Sequence, residues 1–199
     1  METRQGQPGR FREVVRRALL VAALVAASLG FSLTVAGPAQ AASTTMCSAT
    51  PVPAGWVVTQ AMSNSGNCGP HLLYWITNDM RNGMHICSAT PVPPGWVATQ
   101  AMSNSGNCGP HLSYWITSNL YNGMHICSAH AVPAGWVVTQ AMSNSGNCGP
   151  HLSYWITSNL YNGMHICSAT PVPAGWRVTQ SMTNSGNCGP HLSYWITRI

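Results

Sequence analysis

The segment from Cys47 to Ile86 is written again from Cys87, from Cys127 and from Cys167, with a period of 40 residues. No other feature constrains the fold as strongly. A repeat of this length is one supersecondary unit, too small to bury a core alone, so it must be stapled or stacked on its neighbours. The copies run 47–86, 87–126, 127–166 and 167–199, the last one shorter, behind a lead-in at 42–46. Copies two and three differ only where Thr90, Pro91, Pro94 and Ala98 become His130, Ala131, Ala134 and Val138. Such closeness reads as recent duplication, so recurrence in every copy says little about which residues function requires.

Local signals inside a copy are all β. "TPVPPG" is a turn-rich opening in which Pro94–Gly95 suit the two central positions of a type II turn. "WVVTQAM" follows, placing Trp56, Val58, Gln60 and Met62 on one face and Val57, Thr59 and Ala61 on the other. "SNSGNCGP" is a loop by composition. "HLSYWIT" is a second strand, with Leu112, Tyr114 and Ile116 opposite His111, Trp115 and Thr117. Asn122–Gly123 then sits between short apolar runs and predicts a tight hairpin pairing the end of one copy with the start of the next. The expected fold class is all-β: four tandem disulfide-stapled units, stacked in a row or closed like a small propeller with Thr44–Cys47 against the final strand.

Residues 1–41 read differently. Five arginines and two glutamates precede the uncharged run 18–37, and "PAQAAS" supplies small residues in an A-x-A pattern. This predicts a secretory signal peptide cleaved after Ala41, leaving no membrane span; an uncleaved anchor is the rival reading. Beyond it the charged residues are Asp79, Arg81, Arg177 and Arg198, with no lysine. That is no basic patch for phosphates, so nucleic acid is not an expected partner.

Eight cysteines in an exported chain read first as disulfides. Pairing inside each copy (Cys47–Cys68, Cys87–Cys108, Cys127–Cys148, Cys167–Cys188) uses all of them with one local rule. Pairing across copies leaves Cys47 and Cys188 to find each other, so the first scheme is favoured. Each such loop is worth about 3 kcal/mol on the chain-entropy estimate. The alternative is a zinc or copper array with two sulfurs and two imidazoles per site. Its ligands would be Cys68, His71, His85 and Cys87; Cys108, His111, His125 and Cys127; and Cys148, His151, His165 and Cys167. No resident cofactor is expected.

Catalysis finds little support. "CGPH" differs from the thioredoxin CGPC in its fourth residue, so a two-thiol redox cycle at this motif is impossible. Asp79 is the lone acid beyond the leader, replaced by Asn119 and Asn159 in later copies, which excludes paired-carboxylate chemistry. The chain is therefore expected not to be an enzyme, and no residue is assigned to catalysis.

The aromatic content is the remaining signal. Trp56 and its equivalents follow a turn and are expected in the core. Trp75, Trp115, Trp155 and Trp195, with Tyr121 and Tyr161 beside the Asn-Gly turns, are candidate platforms for sugar rings. Four copies would add avidity for a repeating target such as a surface or environmental polysaccharide. "CSATPVPAGWVVT" followed by a Ser/Asn loop and "CGP" resembles the short cysteine-bearing repeats, C-x5-P-x-G-W then C-x-G, of uncharacterised secreted bacterial proteins. The resemblance covers the four copies, implies a secreted or cell-surface bacterial protein, and brings no activity with it. The expected role is a non-catalytic binding or adhesion module; a structural envelope or matrix repeat without a ligand is a further alternative.

Overall fold

The computed structural model describes residues 42–63, 67–103, 107–143, 147–183 and 187–199. The signal segment read at 1–41 lies outside them, so neither its cleavage nor its alternative as an anchor is described. The part from Ala41 to Ile199 is a compact unit of its own. Among the described residues there is no helix, and so none long and apolar enough to cross a membrane.

Among the described residues, twelve strands form four three-stranded antiparallel sheets. They are β1 (Ser43–Cys47), β2 (Val57–Met62), β3 (Leu73–Thr77), β4 (Met84–Cys87), β5 (Val97–Met102), β6 (Ser113–Thr117), β7 (Met124–Cys127), β8 (Val137–Met142), β9 (Ser153–Thr157), β10 (Met164–Cys167), β11 (Trp176–Met182) and β12 (Ser193–Arg198). Each sheet places its third strand in the centre, as in β1-β3-β2 and β4-β6-β5. The sheets follow one another in chain order, and each second strand packs against the first strand of the next sheet: β2 on β4, β5 on β7, β8 on β10. Among the described residues nothing closes the row. β1 pairs with β3 of its own sheet rather than with β12, so the propeller alternative is set aside.

The proline turns form as their residues dictate. Gly95 has φ +82°, open to glycine at no steric cost, and the Trp96 amide donates to the Pro93 carbonyl at 3.1 Å.

The Asn-Gly hairpin does not form. β6 ends at Thr117, β7 begins only at Met124, and β7 pairs with β9 in the following sheet. The turn itself is present, with the Met124 amide bonded to the Tyr121 carbonyl at 3.1 Å. Its role is to cap a strand ahead of it. Asn122 Oδ1 accepts from the Thr157 hydroxyl at 2.9 Å and the Ser158 amide at 2.8 Å, and the Gly123 amide donates to the Ile156 carbonyl at 2.9 Å. A side chain that satisfies the exposed end of β9 ties the turn to the next sheet, which is why it cannot fold back on its own.

Strict alternation also fails in the second strand. The pairing shifts between Val58 and Gln60, where Thr59 is the extra residue of a β-bulge and its hydroxyl donates to the Trp75 carbonyl at 3.2 Å. Val58 and Ala61 consequently share one buried cluster, with Tyr74 and Ile76. Val57 joins the next cluster, with Ile86, Ala98, Tyr114 and Ile116. The bulge thus lets one short strand bury residues in the cores of two units.

Candidate functional site

The cysteines settle their own question. Four disulfides join Cys47–Cys68, Cys87–Cys108, Cys127–Cys148 and Cys167–Cys188, each across 21 residues, with Cα atoms 5.3 to 5.4 Å apart. No cysteine is free. This overturns the two-sulfur, two-imidazole sets. Cys68 is bonded back to Cys47 and Cys87 forward to Cys108, so the thiolates that such a site requires do not exist. The same holds for Cys108 with Cys127 and for Cys148 with Cys167. Among the described residues no group of three or more potential ligands converges.

Apart from His71, the histidines of those sets separate into two structural roles. His111 and His151, joined by His191 of the fourth copy, reach across a junction to the central strand of the preceding sheet. The Tyr74 hydroxyl lies 3.1 Å from His111 Nε2, Tyr114 is 3.1 Å from His151, and Tyr154 is 2.9 Å from His191. Burial raises the Tyr114 and Tyr154 hydroxyls above the usual phenol range and lowers His151 below the usual imidazole range, so all three stay neutral at physiological pH. His71 has no preceding sheet among the described residues and is exposed. These tyrosine–histidine bonds were not foreseen; the recurring 37-residue separation of the two residue types is the signal that carries them.

The glycine beside each histidine completes the junction. A Cβ on Gly109 would stand 2.9 Å from the Ala61 carbonyl oxygen, and on Gly149 equally close to that of Ala101; at Gly69 it would meet nothing within 4 Å. Close approach lets the Ala61 amide donate to the Asn107 carbonyl at 2.7 Å, a bond repeated from Ala101 to Asn147 and from Ala141 to Asn187. CGPH is therefore a disulfide half, a close-contact glycine and an inter-unit histidine.

His85, His125 and His165 lie in the second role, on the outer face. Each is directly opposite a central tryptophan in the register: His85 with Trp115, His125 with Trp155, His165 with Trp195. Ring centroids are 4.4, 4.6 and 5.8 Å apart. His85 and His125 also bond Ser113 and Ser153 through Nδ1, at 3.0 and 3.3 Å. The first sheet departs from this at both places together, with Thr45 opposite Trp75 and Leu73 where the serine stands. On the other flank of every tryptophan the partner is a glutamine: Gln60, Gln100, Gln140 and Gln180.

These tryptophans are the most prominent outward-facing aromatic rings in the sheets. Trp75 is 46% exposed, Trp155 39% and Trp195 38%, while Trp115 is half-buried. Tyr121 and Tyr161 are exposed, in loops. Trp56, Trp96, Trp136 and Trp176 are half-buried and pack against the core clusters.

The first unit adds a feature of its own. A cleft of about 390 Å³ is lined by Thr44, Thr59, Trp75, Thr77, Asp79 and Arg81, among others. Asp79 and Arg81 form an ion pair there, replacing Asn119 and Tyr121 of the second copy. The carboxylate raises the guanidinium further above its usual range. A second cleft, of about 590 Å³, lies between the proline turns of units two and three beside His130. Compared with protein-family models, with curated proteins and with solved structures, the chain matches none.

Proposed function

We propose that this protein is an exported, non-catalytic binding or adhesion module whose ligand is a neutral carbohydrate polymer at or beyond the cell surface. One observation carries the reading: an indole recurs at the centre of the outer face of each sheet, exposed in three of the four, between a glutamine and a histidine or threonine. A flat apolar ring flanked by side-chain amide, imidazole or hydroxyl groups suits a pyranose, which offers one apolar face and a rim of hydroxyls. Trp75, Trp115, Trp155 and Trp195 would supply stacking surfaces, and Tyr121 and Tyr161 further contacts.

Charge points the same way. The ion pair of Asp79 and Arg81 neutralises itself, so nothing at the cleft beside Trp75 selects for a charged ligand. With no second acid to work beside Asp79, hydrolysis of the polymer is not part of the proposal. Four disulfides fit an oxidising, extracytoplasmic compartment; the resemblance of the repeats supports a bacterial source.

The test is binding of the exported protein to arrayed and insoluble polysaccharides, with the fourfold Trp75→Ala, Trp115→Ala, Trp155→Ala, Trp195→Ala variant in parallel. Retention by at least one neutral polymer, lost in the variant while its disulfides stay intact, supports the reading. Failure of the native protein to bind any polysaccharide sinks it.

A further inference from the structure

The chain builds the same junction three times. At each, a second strand (β2, β5 or β8) packs on the first strand of the next sheet. Its first valine (Val57, Val97 or Val137) is wholly buried, its alanine (Ala61, Ala101 or Ala141) bonds the next unit's asparagine carbonyl, and the central tyrosine meets the next unit's histidine. Among the described residues, the two ends of the row each present one half of this junction. At one end His71 is exposed and the space at Gly69 is open. At the other stand β11 and Tyr194, with no following sheet among the described residues.

Copy four departs from copy three inside this strand at two residues, and both are junction residues: Arg177 replaces Val137 and Ser181 replaces Ala141. We propose that the two ends of the row are complementary, and that Arg177 and Ser181 make the fourth unit a terminating cap that keeps the first unit of a second copy of this chain from docking on β11. The occupant follows from continuity with an interface the molecule already contains. Such a contact would be head-to-tail and would not close on itself, so without a block each chain could add another and a filament would grow. A charge on an edge strand is the ordinary means of preventing that.

The block works by desolvation. In an added junction Arg177 would take a place where the valines are 0% exposed. In a docked first unit, Thr44, Met46 and Ile76 stand where Met164, Ile166 and Ile196 surround Val137, offering one hydroxyl and no carboxylate to the guanidinium. Asp79, the lone acid beyond the leader, is already held by Arg81. An unpaired guanidinium buried there opposes association strongly. Repeat proteins in general carry a polar outer face on their terminal units for this reason.

The experiment compares the native protein, as released by an oxidising export system, with R177V/S181A, which restores the residues of units one to three. Mass is read by light scattering across a hundredfold range of concentration, with four disulfides verified in each sample. The native protein is expected to keep one mass throughout. The double variant is expected to grow with concentration, and excess native protein should shorten its oligomers, since a native chain can dock its first unit but offers a blocked end. R177Q, which removes only the charge, should move in the same direction by less. A double variant that holds the native mass at every concentration overturns the proposal. So does native protein that polymerises, or oligomers that native protein leaves unchanged, which would be unspecific clustering of an exposed valine.

Discussion

Strands β8 and β11 are copies of one pattern, and only one of them is covered. In β8 the residues Val137, Val138 and Ala141 are shut away from solvent because β10 lies against them. In β11 every residue after Trp176 is exposed, and Val178, the counterpart of Val138, is 40% exposed. Backbone pairing does not distinguish them: both join the central strand of their sheet, and both carry the bulge at the same place. Burial in this protein is thus a property of the junction between units rather than of the strand. The same residue in the same local structure is core in one unit and surface in another.

The sharpest way to break this comparison is to exchange the residues that mark it. Val137→Arg should cost about 4 kcal/mol in denaturant unfolding, as an unpaired charge buried beside Met164, Ile166 and Ile196. Arg177→Ala, at the matching exposed place, should change stability by less than about 0.5 kcal/mol. Equal losses would show that β8 is not covered as described.

A smaller effect separates contact from backbone strain. Gly149→Ala and Gly69→Ala both force alanine to positive φ, at +52° and +59°. Only Gly149 also faces a carbonyl oxygen 2.9 Å from the new Cβ. Gly69→Ala should cost about 1 kcal/mol, and Gly149→Ala clearly more; thermal unfolding of the two variants measures the difference.

Tyr154→Phe should cost about 1 kcal/mol, leaving His191 without its junction partner, while Tyr194→Phe should be nearly silent. Hydrogen exchange of the amides around the third junction would show where the first variant opens.

The last effect is absent at neutral pH. His130 takes the place of Thr90 and Thr170, and both its ring nitrogens are buried without a partner. Burial, helped by nearby His151, lowers its pKa to about 4. A depressed imidazole favours the folded state fully above the unfolded value of about 6.5. As pH falls below that value the unfolded chain takes up the proton first, and the stability is lost progressively until about pH 4. His130→Thr should therefore narrow the difference in unfolding midpoint between pH 7 and pH 4. An unchanged difference would show that His130 is not held neutral at the second junction.

What the sequence made legible was local. The period, the proline turns and the within-copy cysteine pairs all follow from residues close in the chain, and counting favoured the pairing: one local rule uses every cysteine, whereas pairing across copies leaves Cys47 and Cys188 to meet from opposite ends. What it hid depends on the neighbouring unit. Asn122–Gly123 carries every mark of a hairpin, yet its side chain serves Thr157 and Ser158 in the next sheet. Trp56 to Met62 alternates on paper, yet Thr59 bulges and shares Val57 with the following core. His111 and His151 looked like ligands because their partners, Tyr74 and Tyr114, belong to the unit before. For the outer-face tryptophans, the flanking glutamines and histidines became visible only with the register.

Each disulfide closes inside one copy, and each junction uses the same parts. A genetic event that deletes or inserts one whole period ahead of the fourth copy therefore orphans no cysteine and leaves Arg177 and Ser181 outside any junction. Unequal recombination among such similar copies would give molecules of three, five or six units, every one of them able to fold by the same rules. Reach, and the number of aromatic platforms displayed, can then vary within a population without any new structural invention.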